Sequence, residues 1–369
     1  MNVLLAWLAD LFARFTRTLD VWLCGALGAL MAIALAVLYS AGGESPRLVM
    51  AQSARYVLGC AALWALSRVP MNRLRTATPL VYGASLLPLL LVLFIGSGRH
   101  GNHWINLGVF YFQPAEVLKL SLPMMMAWFL AQRPLPPSLS SVLIAGAIIA
   151  VPTGLILLQP DFGTAMLVAS AGAFVLYLAG LSWWWFAAAA LGVAAAAPAV
   201  WFWLLRPYQK DRILTFFNPE SDPLGAGWNI IQSKIAIGSG HLTGKGWGQG
   251  TQSHLDYLPE HTTDFIFAVL AEEFGWIGVV TVLALYLLII GRCLWIASEA
   301  RDGYSRLLAG GLGLAMFVYV IVNGGMISGL LPVVGVPMPL LSYGGTAAVS
   351  LLAGLGVVMA VRAQGLKRR

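Results

Sequence analysis

Apolar runs of roughly 20 residues, the length that crosses a hydrocarbon core about 30 Å thick, follow one another along almost the whole chain. We count ten, near residues 20–41, 50–67, 77–97, 114–132, 140–158, 162–180, 184–205, 264–291, 307–331 and 340–361. They predict an all-α polytopic membrane protein with ten transmembrane helices and a long loop between the seventh and eighth. Composition agrees: 59% of the 369 residues are hydrophobic and 10% charged. A soluble domain with that balance exposes large apolar patches.

The polar breaks between runs indicate orientation. One set of alternate loops holds Arg14, Arg17, Arg68, Arg73, Arg75, Arg133, Arg292, Arg301, Arg306, Arg362, Lys367, Arg368 and Arg369, whereas the opposite short loops hold Arg47, Arg55 and Arg99. The excess of bases on the first set places both termini in the cytoplasm. The net charge of +7 is largely this topology signal and implies no nucleic-acid partner. Residues 1–19 pair apolar Leu4, Leu8, Leu11, Phe12 and Phe15 with Asp10, Arg14 and Arg17, which suits a helix at the membrane surface rather than a cleaved signal. Residues 20–363 form the transmembrane domain, and 364–369 a basic cytoplasmic tail. Cys24, Cys60 and Cys293 lie in or beside apolar spans with no CxxC spacing, as small buried hydrophobes do.

The loop at 206–263 is on the extracytoplasmic side by this count, and loops of that length usually carry function. Within it, GWNIIQSKIAIGSG sets Trp228, Ile231 and Ile235 at helical spacing with Asn229, Gln232 and Ser233 turned away. That predicts a short interfacial or re-entrant helix stopping at Gly238. GHLTGKGWGQG is rich in glycine, but Ser239 and Gly246 break the phosphate-loop pattern around Lys245. It reads as a flexible turn, or as backbone N–H groups that meet a diphosphate.

The acids in LPEHTTDFIFAVLAEE ask for an explanation. An acidic residue at a helix centre costs about 2.5–3.5 kcal/mol on insertion scales, while each large aliphatic or Phe residue returns about 0.3–0.6. Glu272 and Glu273 therefore need a partner or a water-filled cavity. Asp264, Ala268 and Glu272 fall at i, i+4 and i+8, so one stripe of an eighth helix starting at 264 carries two acids toward an outward-opening polar cavity. FQPAEVLKL opens the fourth span with Gln113, Pro114, Glu116 and Lys119, the last two spaced to pair. QPDFGTA opens the sixth with Asp161, placed to cap its helix or to line the cavity. Arg99, Arg206, Lys210, Arg212, Lys234 and Lys245 add cations at the same face, which suits an anionic, membrane-held substrate. The chain lacks HExxH, DxD, GxSxG and paired CxxC motifs, so metalloprotease and serine-hydrolase chemistry have no support.

FQPAEVLKL, QPDFGTA, YQKDRILTFFNPESDPLGAGWNIIQSKIAIGSG, GKGWGQGTQSHLDYLPEHTTDFIFAVLAEEFG and PLLSYGGTA resemble the SEDS proteins (shape, elongation, division and sporulation) over about residues 19–363. GTQSHLDYLPE is most similar to the elongation branch. The resemblance implies a ten-helix peptidoglycan glycosyltransferase of the bacterial inner membrane that polymerises lipid II beside a class B penicillin-binding protein of the elongation machinery. It carries the family's essential aspartate onto Asp264, its paired acid and base onto Glu116 and Lys119, and its arginine after the YQ pair onto Arg212. Thr262 stands where the family has histidine, with His261 one place earlier; His103 stands for arginine beside Trp104, and Ala115 for serine.

On this reading Asp264 is the general base. Glu116, Lys119, Asp161, Arg212, Lys234, Lys245 and Arg99 bind substrate, while Glu272, Glu273, Gln113 and Tyr208 line the cavity or support it. Basic residues or a divalent cation (Mg or Mn) steady the departing diphosphate. A lipid II flippase and a non-catalytic scaffold are the alternatives.

Overall fold

The computed structural model describes residues 17–97, 103–106, 108, 111–205, 207–218, 227–254 and 260–366. Every predicted apolar run carries a helix. The first seven are α1 (Val21–Ala41), α2 (Pro46–Ser67), α3 (Met71–Ile95), α4 (Pro114–Leu130), α5 (Leu139–Leu157), α6 (Phe162–Leu178) and α7 (Trp183–Ala199). In the long loop lie α8 (Pro207–Phe217), α9 (Trp228–Ser239) and α10 (Thr251–His254), followed by α11 (Ile266–Glu299), α12 (Gly303–Ile327) and α13 (Thr346–Leu366). Eight of these, α7 being counted with the π-helical turn Val200–Leu204 that continues it, are long and apolar enough to cross a membrane, while α4 and α6 are shorter at 17 residues each. Between α3 and α4 a two-residue strand β1 (Ile105–Asn106) pairs antiparallel with β2 (Tyr111–Phe112).

The helix starts follow from local chemistry. Asp20, Asp161 and Asp302 each accept a backbone N–H at the first turn of α1, α6 and α12. Pro46 and Pro114 sit in the first turn of α2 and α4, where the missing N–H costs nothing. The innermost helices are α4, α11, α12 and α13. By contrast α7 buries no residue, and its Trp183, Trp184 and Trp185 are all exposed, as a belt at the headgroups requires. Exposed apolar side chains elsewhere, such as Leu80 and Phe94, fit a lipid-facing surface.

Three expected boundaries are corrected. Helix α11 begins at Ile266 and runs to Glu299, so Asp264 lies in the turn before it and shares no helical stripe with Glu272. Residues 328–345 are non-helical although apolar, because Gly329, Gly335, Gly344 and Gly345 interrupt any helix there. Arg47 and Arg55 belong to α2 rather than to a loop.

The side of α9 that packs into the protein is the one carrying its polar residues. Ile230, Gln232, Ser233 and Ala236 are buried and Ile235 faces outward. A small hydroxyl side chain lets the helix approach α12 closely, and Ser233 donates to the Ile327 carbonyl at 2.7 Å.

At the end of the bundle opposite the loop, Asp20 is fully buried between two cations. Arg292 of α11 and Arg362 of α13 each place a guanidinium nitrogen 2.9 Å from its Oδ2. The sequence offered these arginines as topology markers; here they tie α1, α11 and α13 together.

Candidate active site

Near the loop end, four elements bring polar side chains to one region. Lys119 Nζ lies 2.6 Å from Glu116 Oε1 one turn away on α4, and Ser350 of α13 donates to the other oxygen, Oε2, at 2.8 Å. The same ammonium stands over the ring of Tyr319 on α12, 5.1 Å from its centroid. At the start of α6, Asp161 accepts from Thr164 N at 3.0 Å through Oδ1 and from the Gln113 carboxamide at 3.3 Å through Oδ2. Asp161 is thus a helix cap that also touches the neck of α4. A narrow crevice of about 40 Å³ runs from Lys119, Tyr319 and Ser350 along apolar Leu312, Met316 and Leu355.

Asp264 is held from two sides. Asn323 of α12 donates through Nδ2 to the Asp264 carbonyl at 2.9 Å and to the Val336 carbonyl at 2.7 Å. Gly335 has φ +70°, and a Cβ there would lie 3.6 Å from Asp264 Oδ2, so the backbone closes on the carboxylate where no side chain intervenes. Burial, helped by the neighbouring Glu260 carboxylate, pushes the Asp264 carboxyl up to about 6. It thereby becomes a better proton acceptor than an ordinary aspartate.

The non-helical stretch that supplies Gly335 is pinned by hydroxyls from the helices. Tyr56 and Tyr286 donate to the carbonyls of Leu340 and Pro339, each at 2.5 Å. Irregular backbone at membrane depth needs such partners. Tyr343 N donates to Thr262 O at 2.9 Å, two residues before the aspartate. Arg55 stacks on the Tyr343 ring at 4.2 Å and donates to its hydroxyl at 3.1 Å. A cation well inside α2 and tied to this turn was not singled out from the sequence, where its distance from a span boundary was the available signal.

Glu272 and Glu273 belong to a different construction. Glu272 is fully buried and accepts from Lys245 Nζ at 2.6 Å, from Thr251 N and Oγ1 at 2.9 Å, and from Gln252 N at 3.2 Å. Glu273 accepts from the Ser40 hydroxyl of α1. Around them α11 is broken at Gly275, whose φ is +62°.

Residues 241–246 repair the break. Lys245 N and Gly246 N donate to the Glu272 and Glu273 carbonyls, both at 3.0 Å, while Trp276 N and Ile277 N donate to the carbonyls of His241 and Leu242 at 3.0 and 3.1 Å. These four bonds replace the helical ones lost between residues 272–273 and 276–277. The glycine-rich segment is therefore a helix splint, and its N–H groups at 244–246 are spent on protein carbonyls rather than left for a diphosphate. Glu272 does not face an outward-opening cavity.

Of the remaining predicted residues, Lys234 is exposed on α9 beside Gly329. Tyr208 and Arg212 lie on α8, but their side chains, like Arg99 and Arg206, lie outside the described residues. Among the described residues no three His, Cys, Asp or Glu side chains converge as a metal site would need.

The chain matches the FtsW/RodA/SpoVE family, described as cell cycle protein, over residues 16–366. The peptidoglycan glycosyltransferase MrdB of Escherichia coli strain K12 is 47% identical over 334 residues, covering 90% of each chain. The peptidoglycan glycosyltransferase RodA of Treponema pallidum is 32% identical, covering 92% of this chain and 96% of the relative. A chain from a solved peptidoglycan synthase complex that coordinates polymerization and crosslinking superposes with a TM-score of 0.83 at 33% identity, covering 94% and 98% of the two chains. The crystal structure of the rod shape determining protein RodA of Thermus thermophilus gives a TM-score of 0.72 at 31% identity, covering 93% and 96%.

Proposed function

This chain belongs to the FtsW/RodA/SpoVE family and is a multi-pass peptidoglycan glycosyltransferase, and from that premise we propose that it polymerises lipid II with Asp264 as general base. The acceptor's GlcNAc 4-hydroxyl gives its proton to the Asp264 carboxylate as its oxygen bonds to the donor's anomeric carbon. The bond from that carbon to undecaprenyl diphosphate breaks, and the diphosphate takes the electron pair. Diphosphate leaves without being protonated, so the second carboxylic acid of a glycoside hydrolase is unnecessary. Lys119, with Arg212 from the loop, stabilises the departing charge.

The observation that carries this reading is the placement of Asp264. It is the acid in the region whose carboxyl is pushed toward neutral pH, and it lies in the turn just before the long apolar helix α11 rather than within it, which suits sugars carried on lipid anchors. Both termini then face the cytoplasm, and a class B penicillin-binding protein of the bacterial inner membrane is the working partner. Relatives named for glycosyl transfer weigh against the flippase and scaffold readings.

The test is reconstitution with that partner, its own glycosyltransferase activity excluded, and addition of lipid II. Wild-type protein yields glycan polymer and Asp264→Asn yields none while still binding the partner. Polymer from Asp264→Asn removes the base assignment.

A further inference from the structure

Tyr319 and Asn323 occupy i and i+4 on α12, one above the other on the same face and about 6 Å apart along the axis. Both are buried, at 5% and 0% exposure. One carries the ring beneath Lys119, and the other the carboxamide that grips the Asp264 carbonyl. The same carboxamide holds Val336, the residue after the glycine that closes on the Asp264 carboxylate. Ser350 adds a third support from α13 by fixing Glu116, which in turn fixes Lys119.

We propose that α12 is the ruler of the active site, with Asn323 positioning the base and Tyr319 positioning the cation, so that one helical turn sets the distance between them. The proposal rests on the roles of Asp264 and Lys119 given above. Proton removal from the acceptor and stabilisation of the leaving diphosphate occur on opposite sides of one carbon, so their spacing must be constant to within a fraction of an ångström. A packed helix keeps that constancy better than the turn before α11 or the irregular stretch at 328–345, each of which Asn323 bolts to it.

The experiment uses the reconstituted complex with lipid II, reading kcat, KM and the pH profile for Asn323→Ala, Tyr319→Leu and Tyr319→Phe. Asn323→Ala loosens the base and is expected to lower kcat by roughly tenfold to a hundredfold and to move the midpoint of the pH profile, with KM nearly unchanged. Tyr319→Leu loosens the cation that meets the leaving diphosphate and is expected to lower kcat by roughly tenfold, with the pH midpoint unchanged and Tyr319→Phe, which keeps the ring, recovering most of the loss. Asn323→Ser, which keeps one donor, substitutes if the alanine variant does not assemble.

Losses that merely track the folded fraction, with the pH midpoint unmoved by Asn323→Ala and no recovery in Tyr319→Phe, overturn the ruler. Wild-type kinetics in both residues' variants, beside an inactive Asp264→Asn, also overturn it and leave the base assignment standing. Polymer from Asp264→Asn overturns the reading on which it rests.

Discussion

Lys245 and Glu272 form a 2.6 Å ion pair that closes the glycine-rich segment onto the broken turn of α11. The glutamate is fully buried and the lysine partly exposed, so the two ends are not equivalent. Removing one partner of a buried pair strands the other, at about 3–5 kcal/mol. Glu272→Leu also orphans the N–H groups of Thr251 and Gln252 and should show a large fall in thermal midpoint in detergent. Lys245→Met should show a smaller one, since backbone donors and the Thr251 hydroxyl still reach the carboxylate. Equal falls would mean that the pair matters less than the acid's burial.

Gly275→Ala should fail more completely than either. Its φ of +62° and ψ of −158° are open to glycine and strained for alanine. A Cβ there would also strike backbone atoms of Gly240, Leu242 and Gly244. Strain and overpacking together cost about 2–5 kcal/mol. The expected readout is loss of monodisperse protein on size exclusion.

Asp264 should make both stability and rate depend on pH. Its carboxyl is raised from 3.8 to about 6 in the folded protein, so between those values the fold holds a proton that the unfolded chain has lost. Stability from this group falls as pH rises through that window and does not return above it. Asp264→Asn escapes the penalty and should melt higher than wild type at pH 8, by roughly 1–3 kcal/mol, with the two converging near pH 4. Wild-type polymerisation should rise with pH through about 6, as the carboxylate becomes free to accept a proton.

Asp20→Ala should destabilise the end of the bundle far from the chemistry. It leaves Arg292 and Arg362 facing each other without their shared acid and removes the cap on Leu23 N. The loss expected is about 3 kcal/mol, read as a lower thermal midpoint, while the KM for lipid II stays that of wild type.

Much of the fold was legible because a span declares itself by length and apolarity, and each predicted run carries a helix. The site was legible where chemistry and periodicity coincide: Glu116 and Lys119 pair at i and i+3, and Asp161 caps α6. What failed was the inference from local pattern to partner. The spacing in α9 separates Ile235 from Ser233, but only the fold shows that the Ser233 side is the one pressed against α12. Glu272 looked like a cavity acid because its ligands are Lys245, Thr251 and Gln252, whose return to α11 no local spacing announces. Asn323 and Tyr319 passed unnoticed inside an apolar run, since only the fold shows that one holds the Asp264 carbonyl and the other underlies Lys119.

The splint across Gly275 also bears on how the chain is made. A ribosome delivers residues 241–246 before residues 272–277, so the four substitute hydrogen bonds await a helix not yet synthesised. Until the two meet, the broken turn of α11 has carbonyls and N–H groups that lipid cannot satisfy. The eighth span therefore enters the bilayer most cheaply against the splint already laid down by the loop before it, which makes order of synthesis part of the architecture.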